Sequence, residues 1–440
     1  MSEPVALGID FGTSNSAVAA AFSDGRVKVL PVGDAVMPHS LPSIAYLHRD
    51  GNRLAGEEAV NEYLITGRNR THCRRCPLVV SDLGGRYSEC RQYTPDGFCS
   101  DSRLLYGLKS ELADDSFQVT HSWAHDFTMP DLVAVVLRHL KQRAEQQLNQ
   151  TFDTAVIGAP VAFVGTESDR FDDLQDLAEE RLREGAMQAG FQRVDLFPEP
   201  AAAILDQPLD PGIAVSLDFG GGTFDVAVIR MEASGHAEVI GLQGAAVGGL
   251  EFDGLLFDFV VADQIGVDDR LPARIRRDLR TLMGVRSLLS SSTLFPGLAA
   301  ARARGGDTEA IEELLFGGHA YAFYKAIESA KTELSSREAA SISFSRPGLR
   351  VNADVSRSDF EQLLSPYLNA VEEAVRNALD EGGVAPAEVQ TAIRTGGSSE
   401  IPAFLDRMRG LLPQAKFRRL PVLTAVAEGL GKEAYMRWAA

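Results

Sequence analysis

The sequence is short of several things. Of its 440 residues only four are cysteine and two are tryptophan, and positive charge is scarce: 43 Lys and Arg stand against 61 Asp and Glu, a net charge of −18. The acid excess argues against a protein that coats nucleic acid, because neutralising phosphates needs clustered Lys and Arg. It leaves room for one nucleotide held at a local site. No apolar run approaches the roughly 18 residues that cross a bilayer. Met1-Ser2-Glu3-Pro4 has neither the basic nor the apolar region of a secretory signal, so a cytoplasmic protein without a membrane partner is expected. In such a reducing compartment four cysteines confined to one stretch, Cys73 to Cys99, favour a metal or redox site over a disulfide framework. Prolines number 20 against 40 glycines, which points to tight turns rather than stiff linkers. Apolar residues at 45% and charged residues at 24% exclude a disordered or fibrous chain. At about 150 residues per domain, the length allows two or three units, or one large two-lobed one.

Along the chain, Val5 to Asp10, Ala17 to Phe22 and Val27 to Val32 read as a strand meander. Arg, Cys, Gly, Pro and Asp dominate about 68–102, which reads as an inserted surface subdomain. Leu132, Val133, Val136, Leu137, Leu140, Ala144 and Leu148 recur at helical spacing. Thr154 to Ala159 is a buried strand ending at Pro160, and a charged helix covers about 167–189. A short strand at Val194–Phe197 precedes a helix after Glu199-Pro200. A second meander runs Ile213 to Asp218, Phe224 to Met231 and Ala237 to Gln243. Helices fill about 250–335, interrupted near Pro296 and Gly305-Gly306. Strands near 340–345 and 349–353, a helix over about 356–380, a strand Gln390–Thr395, a helix Ser399–Leu411 and a last helix over about 422–437 complete the chain.

One repeat organises this pattern. Leu7-Gly8-Ile9-Asp10-Phe11-Gly12-Thr13 and Val215-Ser216-Leu217-Asp218-Phe219-Gly220-Gly221 share one design: apolar strand, a single Asp, a glycine-rich turn, then a second apolar strand. Two related halves facing one another make a cleft, where small ligands bind. The design suits phosphate. Glycine lets the backbone turn sharply and approach an anion, and consecutive amides form a concave nest of donors. Thr13, Ser14, Asn15 and Thr223 add side-chain donors. Asp10 and Asp218 would repel phosphate but can hold Mg²⁺ through water, and the metal then bridges to phosphate. Two ordinary hairpins with a capping Asp are the plain alternative for either copy alone. Matched copies in a duplicated chain disfavour it. The Walker A pattern is absent, and a strand rather than a helix follows the first turn, which disfavours P-loop and Rossmann classes.

Gly8-Ile9-Asp10-Phe11-Gly12-Thr13-Ser14-Asn15-Ser16 and Asp218-Phe219-Gly220-Gly221-Gly222-Thr223-Phe224-Asp225 resemble the two phosphate loops of the 70-kDa heat-shock chaperone family, part of the actin–sugar kinase–chaperone ATPase superfamily. Further likenesses follow in the family's order: Val156 to Pro160 and Pro198 to Ala203 resemble its two connecting segments, and Gly248 to Asp253 its next glycine turn. Glu328 to Ser335 resembles its adenosine-covering helix and Thr395 to Pro402 its last nucleotide loop. The resemblance spans residue 5 to about 430, with gaps near 68–102 and 268–316. It implies an α/β fold of duplicated actin-like, ribonuclease H-like lobes. Residues 1–200 would form lobe I with the Cys-containing insert, and 201–440 lobe II with a helical subdomain over about 250–335.

The resemblance also implies roles. Asp10 and Asp218 would hold Mg²⁺ through water, while Gly12, Thr13, Ser14, Asn15, Gly220, Gly221, Gly222 and Thr223 grip the β- and γ-phosphates of ATP or ADP. Glu199 would orient or deprotonate the attacking water and Lys109 balance charge on the γ-phosphoryl, so that positioning and electrostatics carry the transfer. Gly248, Gly249, Glu328, Lys331, Ser335, Gly396, Gly397 and Ser398 would contact ribose, adenine or the α-phosphate. Plainer readings stand beside these. Glu199 also reads as a helix-start carboxylate, and Glu328 and Lys331, three apart, as a surface pair.

The sequence departs from the family's pattern in several places. It ends where the family's ATPase part ends, so peptide capture by a substrate-binding domain is not expected. Ser168 falls where a coupling Arg is usual, with Arg170 nearby, and Glu400 and Thr332 stand where stacking Arg residues occur. The insert carries C-x₂-C at Cys73 and Cys76, then Cys90 and Cys99, with His72 as a substitute. Four thiolates in a core-poor loop are candidate zinc ligands, with a redox pair as the rival reading. The reading is a slow, chaperone-like ATPase with an unidentified protein client or co-factor protein. A nucleotide-dependent switch or scaffold and a small-molecule kinase of the same superfamily are the alternatives.

Overall fold

The computed structural model describes residues 3–438 apart from 49–51, 69–101, 118, 123–124, 167–169, 206, 234–236, 290, 292 and 422–423. Cys73, Cys76, Cys90 and Cys99, and with them the zinc reading, lie outside the described residues, as does Ser168.

Two sheets of the same topology carry the molecule. In the first, Pro4–Phe11 runs antiparallel to Asn15–Phe22, which pairs with Val27–Val29. On its other side Pro4–Phe11 runs parallel to Thr154–Ala159, which runs parallel to Arg193–Pro198. In the second, Gly212–Phe219 takes the central place, with Phe224–Met231 and Ala237–Ala245 antiparallel on one side and Val389–Thr395 and Lys416–Arg419 parallel on the other. The two central strands bury the same positions in the same order, each leaving its Asp half-buried between buried apolar neighbours. This is the α/β, duplicated actin-like architecture that the sequence implies.

Thr154–Ala159 is buried along its whole length, as a parallel strand covered on both faces must be. On one face it meets the helix Ala425–Trp438; Ala155 and Ile157 share a buried cluster with Leu132, Val136 and Leu140 of the helix Met129–Leu148, which packs against Phe171–Gln188. Local chemistry fixes the ends of Met129–Leu148: Thr128 and Asp131 form a capping box, Pro130 occupies the first turn, and Asn149 closes the helix at φ 49°. Over the second sheet Arg357–Glu381 takes a similar place, opened by the Ser356 cap on the Asp359 amide.

The two sheets meet through two helices, Glu199–Leu205 and Ala425–Trp438. Ala202, Ala203, Leu430 and Ala434 share one buried cluster with Ala6 and Val156 of the first sheet and Ala214 and Ile393 of the second. Small residues bring these backbones very close. A Cβ at Gly429 would lie 1.7 Å from the Ala202 carbonyl oxygen, and one at Gly8 would lie 2.1 Å from the Gly431 nitrogen.

Most expected elements are present with ends moved by a few residues. Pro296 does not interrupt a helix but sits in the first turn of Leu294–Ala303, where its missing N–H costs nothing. The helix expected over Ser399–Leu411 is instead a 3₁₀ turn, Gly397–Glu400, and a helix, Pro402–Leu411. Ile401 lies between them in extended conformation, as a residue before proline prefers. A three-stranded sheet of Arg53–Ala55, Ile44–His48 and Ser102–Tyr106 was not expected. Among the described residues no helix is long and apolar enough to cross a membrane.

Candidate functional site

The two glycine-rich hairpins face one another. Phe11 pairs with Ser16 and Phe219 with Phe224, so each hairpin turns over the same span. The Gly220 amide donates to the Thr223 carbonyl at 3.0 Å, closing the second turn. A Cβ at Gly221 would meet Ser14 Oγ at 3.0 Å, and one at Gly222 would meet Thr13 Oγ1 at 3.0 Å. Glycine in the second hairpin thus leaves the space that the hydroxyls of the first line.

Below this gap lies a concentration of buried charge. Lys109 Nζ donates to Glu199 Oε1 at 2.5 Å, both side chains only 7% exposed. Gly107, at φ 71°, opens the 3₁₀ turn Leu108–Glu111 that aims Lys109 inward. Glu199 starts its helix, as expected of an N-terminal carboxylate, yet it is buried against Lys109 rather than solvated. Burial, then the negative charge of Glu199, raises Asp10 to about 7, although Lys109 opposes this. Burial, Glu199, Asp225 and Asp10 also raise Asp218 well above its ordinary value. Burial pushes the Lys109 ammonium down, but Glu199 and Asp10 outweigh it and hold it up.

Asp225 joins this group and was not singled out from sequence. Its Oδ2 accepts from Thr223 Oγ1 and its Oδ1 from the Val161 amide, both at 2.7 Å. Burial, then Glu199, raises it to about 7 against those hydrogen bonds. An acid two residues past Thr223, just before the apolar run Val226 to Ile229, was the available signal. Four carboxylates therefore surround one ammonium. Burial first, and then their mutual repulsion, raises these carboxylates, and the glycine gap beside them offers backbone donors to an anion. Among the described residues no three His, Cys, Asp or Glu side chains converge to hold a metal on their own.

The glycine turn and the last loop dock on the second hairpin. The Gly220 carbonyl accepts from the Gly249 amide at 3.1 Å and from Ser398 Oγ at 2.9 Å, and the Gly221 carbonyl from the Leu250 amide at 2.8 Å. Lys331 Nζ donates to the Gly249 carbonyl at 2.7 Å and pairs with Asp253 at 2.9 Å. Gly248 lies against Gly221, where a Cβ would come within 2.5 Å of its carbonyl. Gly396, at φ 80°, packs on the Phe219 carbonyl beside Asp218. Glu328 and Lys331 do not pair with each other: Glu328 takes Lys325 at 2.7 Å. Glu400 takes Arg394 at 2.9 Å and Arg419 at 2.6 Å.

Of the residues selected from sequence, the structure gathers Asp10, Thr13, Ser14, Lys109, Glu199, Asp218, Gly220 to Thr223, Gly248, Gly249, Lys331, Gly396 and Ser398 around one gap. Gly12 stands at the first turn, where a Cβ would lie 2.2 Å from the Asn15 carbonyl oxygen. Asn15 pairs with Pro42 at the strand start, Gly397 opens the 3₁₀ turn, and Ser335 follows the helix Ala320–Leu334.

The family model described as Hsp70 protein matches residues 6–277 and 321–434. Over 426 residues the chain is 27% identical to chaperone protein HscA of Escherichia coli O7:K1, covering 96% of this chain and 55% of that protein. The same figures hold for HscA of Escherichia fergusonii. The chain spans about half the length of the curated relatives it matches.

Proposed function

This chain belongs to the Hsp70 family, and we propose that it binds and hydrolyses ATP in the gap between its two hairpins, coupling nucleotide state to closure of two lobes, 1–200 and 201–440. The observation that carries this reading is that the glycine hairpins of two matched halves face one another, a Cβ at Gly221 meeting Ser14 Oγ at 3.0 Å and one at Gly222 meeting Thr13 Oγ1 at 3.0 Å, beside the buried Lys109–Glu199 pair.

The hairpin amides, with Thr13, Ser14, Asn15 and Thr223, would hold the β- and γ-phosphates. Asp10 and Asp218 would hold Mg²⁺ through water. When bound, the metal supplies positive charge to a triphosphate that four nearby carboxylates would otherwise repel. Glu199, fixed by Lys109, would orient the attacking water, and Lys109 would offset charge on the transferred group. Asp225 would hold Thr223 in place. Gly248, Gly249, Glu328, Lys331, Ser335, Gly396, Gly397 and Ser398 would line the nucleoside side. Closure would follow the γ-phosphate, since each half contributes one hairpin to it. The same relationship supports a chaperone role with a protein client.

The test is calorimetry with Mg-ATP together with turnover. Asp218→Asn and Glu199→Ala should each remove most ATP hydrolysis while the far-ultraviolet circular dichroism stays unchanged. Full turnover in both variants would end the assignment. Tight ATP binding by the unaltered protein with no hydrolysis would favour the switch reading.

A further inference from the structure

The Ser110 hydroxyl oxygen is buried and has no hydrogen-bond partner among the described residues. It faces the phosphate gap. A Cβ placed on Gly222 would meet Ser110 Oγ at 2.9 Å, closer than Thr13 Oγ1 at 3.0 Å. Gly222 of the second half is thus flanked by two hydroxyls of the first.

The position is held firmly. Ser110 belongs to the turn Leu108–Glu111, and its amide donates to the Gly107 carbonyl at 3.0 Å. On one side of it Lys109 pairs with Glu199. On the other, Glu111 pairs with Arg286 of the helix Leu282–Leu289 across the cleft, both side chains under a fifth exposed. Ser110 therefore stands on a turn whose residues to either side are both anchored by ion pairs.

An unpaired buried hydroxyl destabilises the protein that carries it. Removing its oxygen from a purely structural site should therefore cost nothing, or help. At an anion site the same hydroxyl becomes a pre-placed donor to an oxygen that gains charge as the reaction proceeds.

We infer that Ser110 is a further catalytic residue of the proposed ATPase, donating its hydroxyl hydrogen to an oxygen of the transferred phosphoryl group. This rests on the ATPase reading above. Ser110 transfers no proton in the step; it supplies a hydrogen bond from the first half to a group cradled by the second.

The test compares the unaltered protein with Ser110→Ala in three measurements. ATP turnover should fall about a hundredfold to a thousandfold in the variant, the usual effect of losing one donor to developing charge. ADP affinity should stay within about twofold, whereas affinity for ADP with aluminium fluoride should fall about tenfold. The nucleotide-free thermal midpoint should be equal or higher in the variant. Equal turnover and equal aluminium fluoride affinity would overturn the role of Ser110 alone, and so would a lower nucleotide-free midpoint with a parallel loss of ADP binding. Absence of any nucleotide binding by the unaltered protein would overturn both this role and the ATPase reading.

Discussion

The Tyr106 hydroxyl lies 2.9 Å from Ser14 Oγ, joining the strand Ser102–Tyr106 to the turn of the first glycine hairpin. Its ring is buried in a cluster with Ile44, Tyr46 and Tyr63, against which Leu250, Leu282, Met283 and Tyr321 of the opposite half pack. One side chain thus touches both the hairpin and the contact that closes the mouth. Tyr106→Phe keeps the ring and deletes the bond, worth about 1 kcal/mol. Under the proposed function, release of a fluorescent ATP analogue should become about fivefold faster, with the thermal midpoint lowered only slightly. Unchanged release in stopped-flow would detach Tyr106 from nucleotide retention.

Lys109 and Glu199 are not equal partners. Besides Glu199, Lys109 also faces Asp10 and Asp225, which help hold its charge. Lys109→Met leaves four carboxylates without their ammonium and should cost about 3–5 kcal/mol, the usual cost of stranding a buried charge. Glu199→Gln leaves Lys109 three carboxylates and relieves Asp10, Asp218 and Asp225 of a like charge, so it should cost clearly less. Guanidinium midpoints of the nucleotide-free variants measure the difference. A costlier Glu199→Gln would mean that the pair, not the cluster, governs stability here.

Asp253 gives a pH dependence away from the two glycine hairpins. Burial raises its carboxyl from 3.8 to about 6, with Lys331 opposing the rise. A raised folded-state value means the folded protein keeps a proton that the unfolded chain has already lost. Stability from this group is therefore full below about pH 4, falls as pH rises to about 6, and is flat above. Asp253→Asn should remove that part of the slope, up to about 3 kcal/mol between pH 4 and 6.5 at roughly 1.4 kcal/mol per unit. Urea midpoints across that range, in both proteins, are the measurement. Identical slopes would assign the dependence elsewhere.

The hairpins were legible because residue type, not packing, specifies them: an Asp at the end of an apolar strand before a glycine turn also suits an ordinary capped hairpin, but here it occurs twice at matched places. The strand Thr154–Ala159 was legible from its length and unbroken apolar run. The contact of Tyr106 with Ser14 was not, since it depends on Ser102–Tyr106 pairing with Ile44–His48, far away in sequence. The choice of partner for Glu328 was equally closed, because Lys325 and Lys331 stand three residues to either side and helical spacing treats them alike. Burial of Asp253 beside Lys331 decided it. Ser110 carries no periodic or motif signal, and only the missing partner of its hydroxyl distinguishes it.

Two helical glycines, Gly429 between the sheets and Gly410 in Pro402–Leu411, predict opposite outcomes for one substitution type. At Gly429 a Cβ would overlap the Ala202 carbonyl oxygen at 1.7 Å, and the obstacle is backbone, which no side-chain rotation relieves. Gly429→Ala must push Ala425–Trp438 away from Glu199–Leu205, and Leu430, which lies within 3.2 Å of a Cβ at Gly158, moves with it. Overpacking of this kind costs about 1–3 kcal/mol or more. Because Glu199 begins the displaced helix, ATP turnover should fall further than stability alone explains. At Gly410, inside Pro402–Leu411, a Cβ meets nothing within 4 Å, so Gly410→Ala should gain about 0.5–1 kcal/mol by helix propensity and leave turnover unchanged. Thermal midpoints and turnover of the two variants, measured side by side, separate close backbone packing between the halves from a general intolerance of glycine replacement. A Gly429→Ala protein as stable and active as Gly410→Ala would show that the two helices do not need their close approach.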